Sequence, residues 1–337
     1  MSRRRGRFCR TGRRNAVATR VAVALWLIGC VAAAAKGAPA GEGGWLQAAA
    51  VVRQTPVAAE APAKADPAPA EPAKWQKPVP LTFHIDYTLV SDYVWRGINL
   101  SEYAGEGREK LNHPTTVCVS YDTGKCGTIT AAFWFEWYAA QQKLTPWSGG
   151  DLQEIDYTIS WSYTIESCNL DVEVGWIFYQ FPRLTGQGQR TSEWYVGLSY
   201  DDSKLFGTKE GVLNPTVTYY MDVDQFHGGQ WLEFGVSHEF ELADCCPKTP
   251  VLKDLTLTPS LTLGTSHRYL TRATQLANLV YGFAASYDLS GALGIPEKCG
   301  SLSVTGFLNF SQALGVKDDV AGYQDELYGG MTVAYEW

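Results

Sequence analysis

The sequence predicts an all-β fold, a transmembrane antiparallel up-and-down β-barrel of about 12 strands, preceded by a signal peptide and a disordered Pro/Ala-rich linker. Three observations carry this expectation. From Leu81 onward, segment after segment alternates apolar and polar residues with period two. The last of these segments ends on an aromatic residue, Trp337. The N-terminal apolar run is too short for a spanning helix, which needs about 20 residues, yet it suits an export signal.

Residues 1–40 read as the signal peptide. Residues 3–20 carry eight Arg and no acid, and an apolar run from Val21 to Ala35 follows. Ala38-Pro39-Ala40 offers small residues for cleavage before Gly41. A second reading stays open. Leu27-Ile28-Gly29-Cys30 resembles a lipobox, which would make Cys30 a lipidated N-terminus. Removing residues 1–40 takes away nine of the 28 basic residues and none of the 35 acids. The remaining chain has 19 basic against 35 acidic residues, a net charge of −16. That balance excludes a nucleic-acid binder and a polybasic membrane-surface protein.

Residues 41–80 read as a disordered periplasmic linker. Val57 to Ala73 is almost entirely Ala, Pro and charged residues, with nothing to bury. It is expected to be a spacer, or a tether to a periplasmic or cell-wall partner.

Residues 81–337 read as one barrel domain. Twelve strand segments are expected, at about 81–96, 114–122, 127–139, 152–165, 169–181, 191–202, 212–223, 229–242, 252–266, 275–289, 300–312 and 323–337. In the fourth, Ile155, Tyr157, Ile159, Trp161, Tyr163 and Ile165 share one face, and Asp156, Thr158, Ser160, Ser162 and Thr164 the other. In the last, Leu327, Met331, Val333, Tyr335 and Trp337 oppose Thr332, Ala334 and Glu336. A soluble sandwich also alternates. Here, however, the apolar faces are rich in aromatics near strand ends, as a membrane girdle requires, while the other faces are Thr, Ser, Gly, Asp and Glu, which suit a wet lumen. Such a closing strand resembles that of bacterial outer-membrane barrels, with Tyr335 and Trp337 as the assembly signal. The resemblance implies the outer membrane of a Gram-negative-type bacterium, with its lipid and its barrel-assembly machinery as partners.

With both termini periplasmic, the connection from Ile98 to His113 is the first outer loop, and Asp122-Thr123-Gly124-Lys125 and Glu166-Ser167-Cys168-Asn169 are inner turns. Cys118, Cys126, Cys168, Cys245, Cys246 and Cys299 then fall in or beside inner turns. An oxidising periplasm makes disulfides the expected state, with Cys118–Cys126 the one pair proposed. No Cys-x-x-Cys pair suggests a metal, and no cofactor is expected. The five histidines form no catalytic constellation with a nucleophile, so no enzyme is expected.

Ser91-Asp92-Tyr93-Val94-Trp95-Arg96-Gly97-Ile98-Asn99 carries a family resemblance. It resembles the opening strand of the Gcw_chp, or TorF-like, group of uncharacterised outer-membrane proteins, which also end on an aromatic strand. Membership implies a barrel and little about its role. The cysteines and the Pro/Ala tether depart from that pattern.

Alternation places Asp86, Asp92, Arg96, Glu136, Asp156, Asp171, Glu173, Glu193, Asp222, Glu233 and Glu239 on the lumen side. Asp92 and Arg96, four residues apart on one face, would be about 13 Å apart. Each therefore needs a partner on another strand, with Glu136 and Asp325 as the candidates. Acids outnumber bases, so a narrow channel or transporter for small cationic or neutral solutes is the leading functional expectation. A structural or adhesive barrel with a plugged lumen, and an outer-membrane enzyme, are the alternatives.

Overall fold

A computed structural model describes residues 79–103, 111–137, 152–182, 184, 186–226, 228–245, 252, 254–320 and 323–337. The signal peptide, Cys30, nearly all of the linker, Cys246 and His227 lie outside the described residues.

Twelve antiparallel strands form the barrel: β1 (Leu81–Val90), β2 (Thr115–Asp122), β3 (Thr128–Trp137), β4 (Leu152–Ile165), β5 (Leu170–Gln180), β6 (Arg190–Tyr200), β7 (Thr216–Asp222), β8 (Gln230–Ser237), β9 (Leu255–His267), β10 (Thr274–Asp288), β11 (Ser301–Ala313) and β12 (Glu326–Glu336). Each pairs with its neighbours in sequence, and β1 pairs with β12, so the sheet closes and leaves no free edge. Closure is extended past the strand end. Phe83 N donates to Trp337 O at 2.7 Å, and Trp337 N donates to Phe83 O at 2.8 Å.

The two faces follow the sequence periodicity. On the outside, Ile85, Tyr87, Phe133, Ile159, Trp194, Phe283, Leu308 and Met331 are all exposed, an apolar belt fit for lipid. Phe133, Tyr157 and Phe178 are register partners on three adjacent strands, with ring centroids 5.6 and 6.0 Å apart. On the inside, Thr88–Thr332, Ser120–Thr130 and Ser286–Thr305 are register partners joined by hydroxyl hydrogen bonds of 2.7, 2.8 and 2.9 Å. A closed antiparallel barrel with an apolar belt is the form in which β-proteins cross the outer membrane. The chain is an outer-membrane β-barrel.

Aromatics at the end bearing the termini pin its turns. Trp161 Nε1 donates to Cys126 O at 2.7 Å, Trp337 Nε1 to Lys298 O at 3.0 Å and the Tyr335 hydroxyl to Cys299 O at 2.5 Å. The core lies at the opposite, far end and inside the barrel. Tyr93, Trp95 and Ile98 pack there against the inward residues Trp134, Ile177, Tyr179, Tyr195, Tyr220 and Trp231 and the loop residues Phe181, Phe226, Tyr269, Val316 and Tyr323.

Two expectations are corrected. The first strand ends at Val90, not at residue 96. The Cys118–Cys126 bridge is not formed, because Cys118 and Cys126, like Cys168 and Cys299, are free thiols. Cys118 is level with Ala132, four residues up β2 from its end, whereas Cys126 sits in the turn. Four residues of strand span about 13 Å, against the roughly 7 Å Cα limit for a disulfide. Non-reduced peptide mapping should recover Cys118 and Cys126 in separate peptides, and a linked pair would contradict this register.

Deleting Trp337 removes two closing backbone bonds and the indole bond to Lys298, each worth about 0.5–1.5 kcal/mol. The truncated chain should give less heat-modifiable barrel in the outer membrane than the full chain. Equal amounts in unboiled gels would refute the assembly role of Trp337.

Candidate functional site

After Val90 the chain leaves the sheet and turns into the lumen. A pair of backbone bonds between Val90 and Asn112, 3.0 and 2.9 Å, marks the point of departure and return. Residues 94–99 then form a separate two-stranded hairpin with Arg96 and Gly97 at its tip. Arg96 has φ +46° and Gly97 φ +86°, the two positive values that a two-residue type I′ turn demands. Gly97 is doubly required, since a Cβ there would come within 2.4 Å of the Tyr323 hydroxyl. The hairpin is braced by its own polar groups. Tyr93 N donates to Ser101 Oγ at 2.8 Å, and Asn99 Nδ2 donates to Asp92 Oδ1 and Glu326 Oε2, each at 3.2 Å.

The hairpin crosses the barrel. At its base the Tyr93 hydroxyl donates to Glu154 Oε2 on β4 at 2.9 Å, with the ring 5.4 Å from Trp134 of β3. At its tip the Arg96 guanidinium reaches β6, on the other side of the lumen from β1. Nη1 and Nη2 donate to Glu193 Oε1 and Oε2 at 2.8 and 2.9 Å. Tyr323 holds the tip from the β11–β12 connection, its hydroxyl donating to Arg96 O at 2.7 Å. Burial raises the Tyr323 phenol well above its ordinary value, so it remains a donor.

Glu193 has no exposed surface and accepts four hydrogen bonds. Besides Arg96, the Tyr179 hydroxyl donates to it at 2.8 Å, and so does that of Tyr269. Four rings surround the guanidinium carbon, with centroids at 4.4 Å for Tyr269, 4.8 Å for Trp95, 4.8 Å for Tyr220 and 5.2 Å for Trp231. Burial makes this ion pair dependent on its geometry, because little water reaches either charge. The rings and phenols supply what water would.

The lumen therefore has two unlike halves. In the far half the wall carries bulk on β3 and β5–β8: Trp134, Tyr179, Tyr195, Tyr220 and Trp231, all buried. In the half nearer the termini it is mostly Ser, Thr, Gly and Ala, such as Ser120, Thr130, Gly197, Thr218, Gly235 and Ala284, with Asp171, Glu173 and Phe307 among them. Beneath the hairpin lies a cavity of about 190 Å³, walled by Trp95, Arg96, Ile177, Tyr179, Tyr220 and Glu233 among others. Gly175 sits at the junction, since a Cβ there would strike the Tyr195 ring at 2.4 Å. That close approach lets the Tyr195 hydroxyl donate to Glu173 Oε1 at 2.5 Å.

The acids singled out from the sequence have several placements. Asp171, Glu173 and Glu233 are half-buried on the inner wall, and Glu239 is exposed. Asp86 is buried and accepts from His84 at 3.0 Å. Asp92 lies just before the hairpin and accepts from Asn99 Nδ2. Asp222 caps the 223–229 loop, accepting from the backbone of Asp224 and Phe226 and from Thr191. Glu136 and Asp156 are buried beside Glu154 on adjacent strands, with the Asn112 amide turned to donate to Glu136 Oε1 at 2.7 Å. Arg96 pairs with neither of its expected partners: Glu136 is near the hairpin base, and Asp325 Oδ1 accepts from Ala313 N at 2.8 Å. The ligating residues not singled out beforehand, Tyr179, Tyr220, Trp231, Tyr269 and Tyr323, are aromatics on inward or loop positions. The Arg96-Gly97 turn signal was the clue that a hairpin, not a strand, carries the cation.

No protein-family model matches the chain, and no curated protein matches it. The Gcw_chp resemblance of residues 91–99 thus has no family match behind it. Among solved structures the chain is similar to the COG4313 outer membrane channel from Pseudomonas putida F1, at 10% identity and TM-score 0.45, covering 80% of this chain and 100% of that one. It is also similar to the NanC porin, at 11% identity and TM-score 0.39, covering 76% and 98%. A third is Salmonella typhi OmpF, at 9% identity and TM-score 0.34, covering 76% and 97%.

Replacing Glu193 with Gln removes the charge opposite Arg96 and leaves a buried cation unpaired, a change that typically costs 3–5 kcal/mol. Glu193→Gln should leave the barrel heat-modifiable but raise amide hydrogen exchange in residues 94–99. Unchanged protection of the hairpin would show that its hold on the wall lies elsewhere.

Proposed function

We propose that this barrel is an outer-membrane channel for small cationic or neutral polar solutes, closed at one level by the hairpin of residues 94–99. The observation that carries the reading is the contrast between the two halves of the lumen. Eight-stranded barrels are just filled by their own side chains, and a twelve-stranded one is wider. A wall made mostly of Ser, Thr, Gly and Ala cannot fill that width, and the half-buried Asp171 and Glu173 on it call for water, so we read the half nearer the termini as a watery vestibule. What closes the passage is a loop folded in from one side and held at its tip by one cation. A barrel that serves only as a scaffold has no need of such an arrangement.

The charge preference follows from Asp171, Glu173 and Glu233 on the half-exposed inner wall. One sign of charge along a low-dielectric wall concentrates its counter-ions. A structural barrel with a permanent plug is the second reading, favoured by the hairpin's complete burial at Trp95 and Ile98. Membership of the Gcw_chp group, contact with the assembly machinery through Tyr335 and Trp337, and a periplasmic or cell-wall partner for the linker complete the proposal.

Planar bilayers with a salt gradient test it. Discrete conductance steps are expected from Arg96→Gly protein, whose hairpin tip is no longer held by Glu193, with a reversal potential favouring cations, and adding Asp171→Asn with Glu233→Gln should move that potential toward zero. Absence of steps from protein that is heat-modifiable would favour the plugged scaffold. Anion preference would defeat the charge argument alone.

A further inference from the structure

We infer that the place filled by Arg96 is a binding site of the barrel wall for a solute bearing a guanidinium group, and that Arg96 is a tethered stand-in for that solute. The site is built without the hairpin. Glu193 comes from β6, Tyr220 from β7, Trp231 from β8 and Tyr269 from the β9–β10 loop. Contacts that do not involve Arg96 fix Tyr269, Trp231 and Glu193. Phe226 stacks on Tyr269 with centroids 4.6 Å apart, Trp231 Nε1 donates to Glu233 Oε1 at 2.8 Å, and Tyr179 donates to Glu193 at 2.8 Å.

The arrangement selects a flat, forked cation. Both oxygens of Glu193 face the fork, at 2.8 and 2.9 Å, while three wall rings at 4.4, 4.8 and 5.2 Å approach the guanidinium carbon. A guanidinium uses two parallel hydrogen bonds and stacks on rings, whereas an ammonium presents a compact, strongly hydrated charge. Without a cation there, a carboxylate with no exposed surface would keep only the Tyr179 and Tyr269 hydroxyls as donors, with no charge opposite it. A space beside the site is also present. The cavity beneath the hairpin shares Tyr179, Tyr220 and Arg96 with the site and has Glu233 in its wall to attract cations.

A solute entering from the vestibule would compete with Arg96 for Glu193. Because Arg96 is tethered, its effective concentration is about millimolar or higher, so displacement needs abundant solute. Displacement frees the hairpin tip and opens the passage. This last step rests on the channel reading, but the binding site does not.

Arg96→Gly tests the site, since Gly accepts the positive φ of the turn at no steric cost. Full-length Arg96→Gly protein, shown to be folded by heat-modifiability, should bind methylguanidinium saturably in a calorimeter. It should bind methylguanidinium about tenfold tighter than methylammonium, the margin expected for a second charge-assisted hydrogen bond. Wild-type protein at the same concentrations should bind neither, and Arg96→Gly combined with Glu193→Gln should lose the binding. No saturable binding by folded Arg96→Gly, equal binding by wild type, or binding indifferent to Glu193→Gln would each overturn the inference. If Arg96→Gly does not fold, wild-type protein serves. High methylguanidinium should then raise amide exchange in residues 94–99 where equal methylammonium does not, and equal effects would overturn the inference. Binding without conductance in any variant would sink the channel reading and leave the site. Conductance without binding would do the reverse.

Discussion

The far half of this molecule is organised by one carboxylate. Glu193 has no exposed surface, and an ionised carboxylate in that position is costly unless donors replace its water. Four donors do so, and they come from three places: Arg96 at the hairpin tip, Tyr179 on β5 and Tyr269 in a far loop. Each partner is thereby tied to the wall at one point. Tyr269 in turn stacks on Phe226, whose loop is capped by Asp222, and Trp95 packs 5.7 Å from Tyr269. Hairpin, wall and loops therefore share a single electrostatic centre, and the aromatic cluster is arranged around it.

That centre explains the division of the lumen. Enclosing an ion pair requires bulk, so the inward positions around Glu193 include Tyr179, Tyr220 and Trp231, whereas other far-end positions stay small, as at Ser266, Asn278 and Ser311. Nearer the termini the acids Asp171 and Glu173 are only half-buried and need no such enclosure, and most inward positions there shrink to Ser, Thr, Gly and Ala. The outward face does not change along the strands, because lipid makes the same demand throughout. One alternating pattern thus carries two lumen chemistries, with the switch at Gly175, where small and large residues meet.

Much of the barrel was legible because period two is imposed twice, by lipid outside and by water inside. Most strand boundaries fall within two or three residues of expectation for that reason. The error at the first strand has a physical cause. Tyr93, Val94 and Trp95 continue as an apolar stretch that a strand also allows, yet the pair Arg96-Gly97 adopts positive φ at both positions, which no strand does. The glycine is a readable turn signal, whereas a left-handed Arg is not, since only its tertiary contacts repay the strain. The partner of Arg96 was illegible for a related reason. Local spacing limits candidates to neighbouring strands, but a loop that crosses the lumen reaches β6, ninety-seven residues away. The inward aromatics were hidden by the rule that aromatics mark the lipid girdle, which holds for Trp161 and Trp337 and fails for Tyr179 and Trp231.

The hairpin is also mechanically separate from the barrel. Its two strands pair only with each other, in a sheet of their own. Its backbone ties to the barrel region are few, among them the Val90–Asn112 pair, the Ile98–Tyr323 bridge and the bond from Ser91 N to Gly329 O. Every barrel strand, by contrast, is bonded on both sides. Releasing the hairpin would break side-chain contacts and leave the closed ladder intact. Barrel closure and the placement of the hairpin across the lumen are therefore held by different interactions: the first by backbone pairing from Phe83 to Trp337, the second by one cation among aromatic rings. A substitution at Glu193 or Arg96 acts on the second without touching the first. That separation lets the two be varied independently in a single chain.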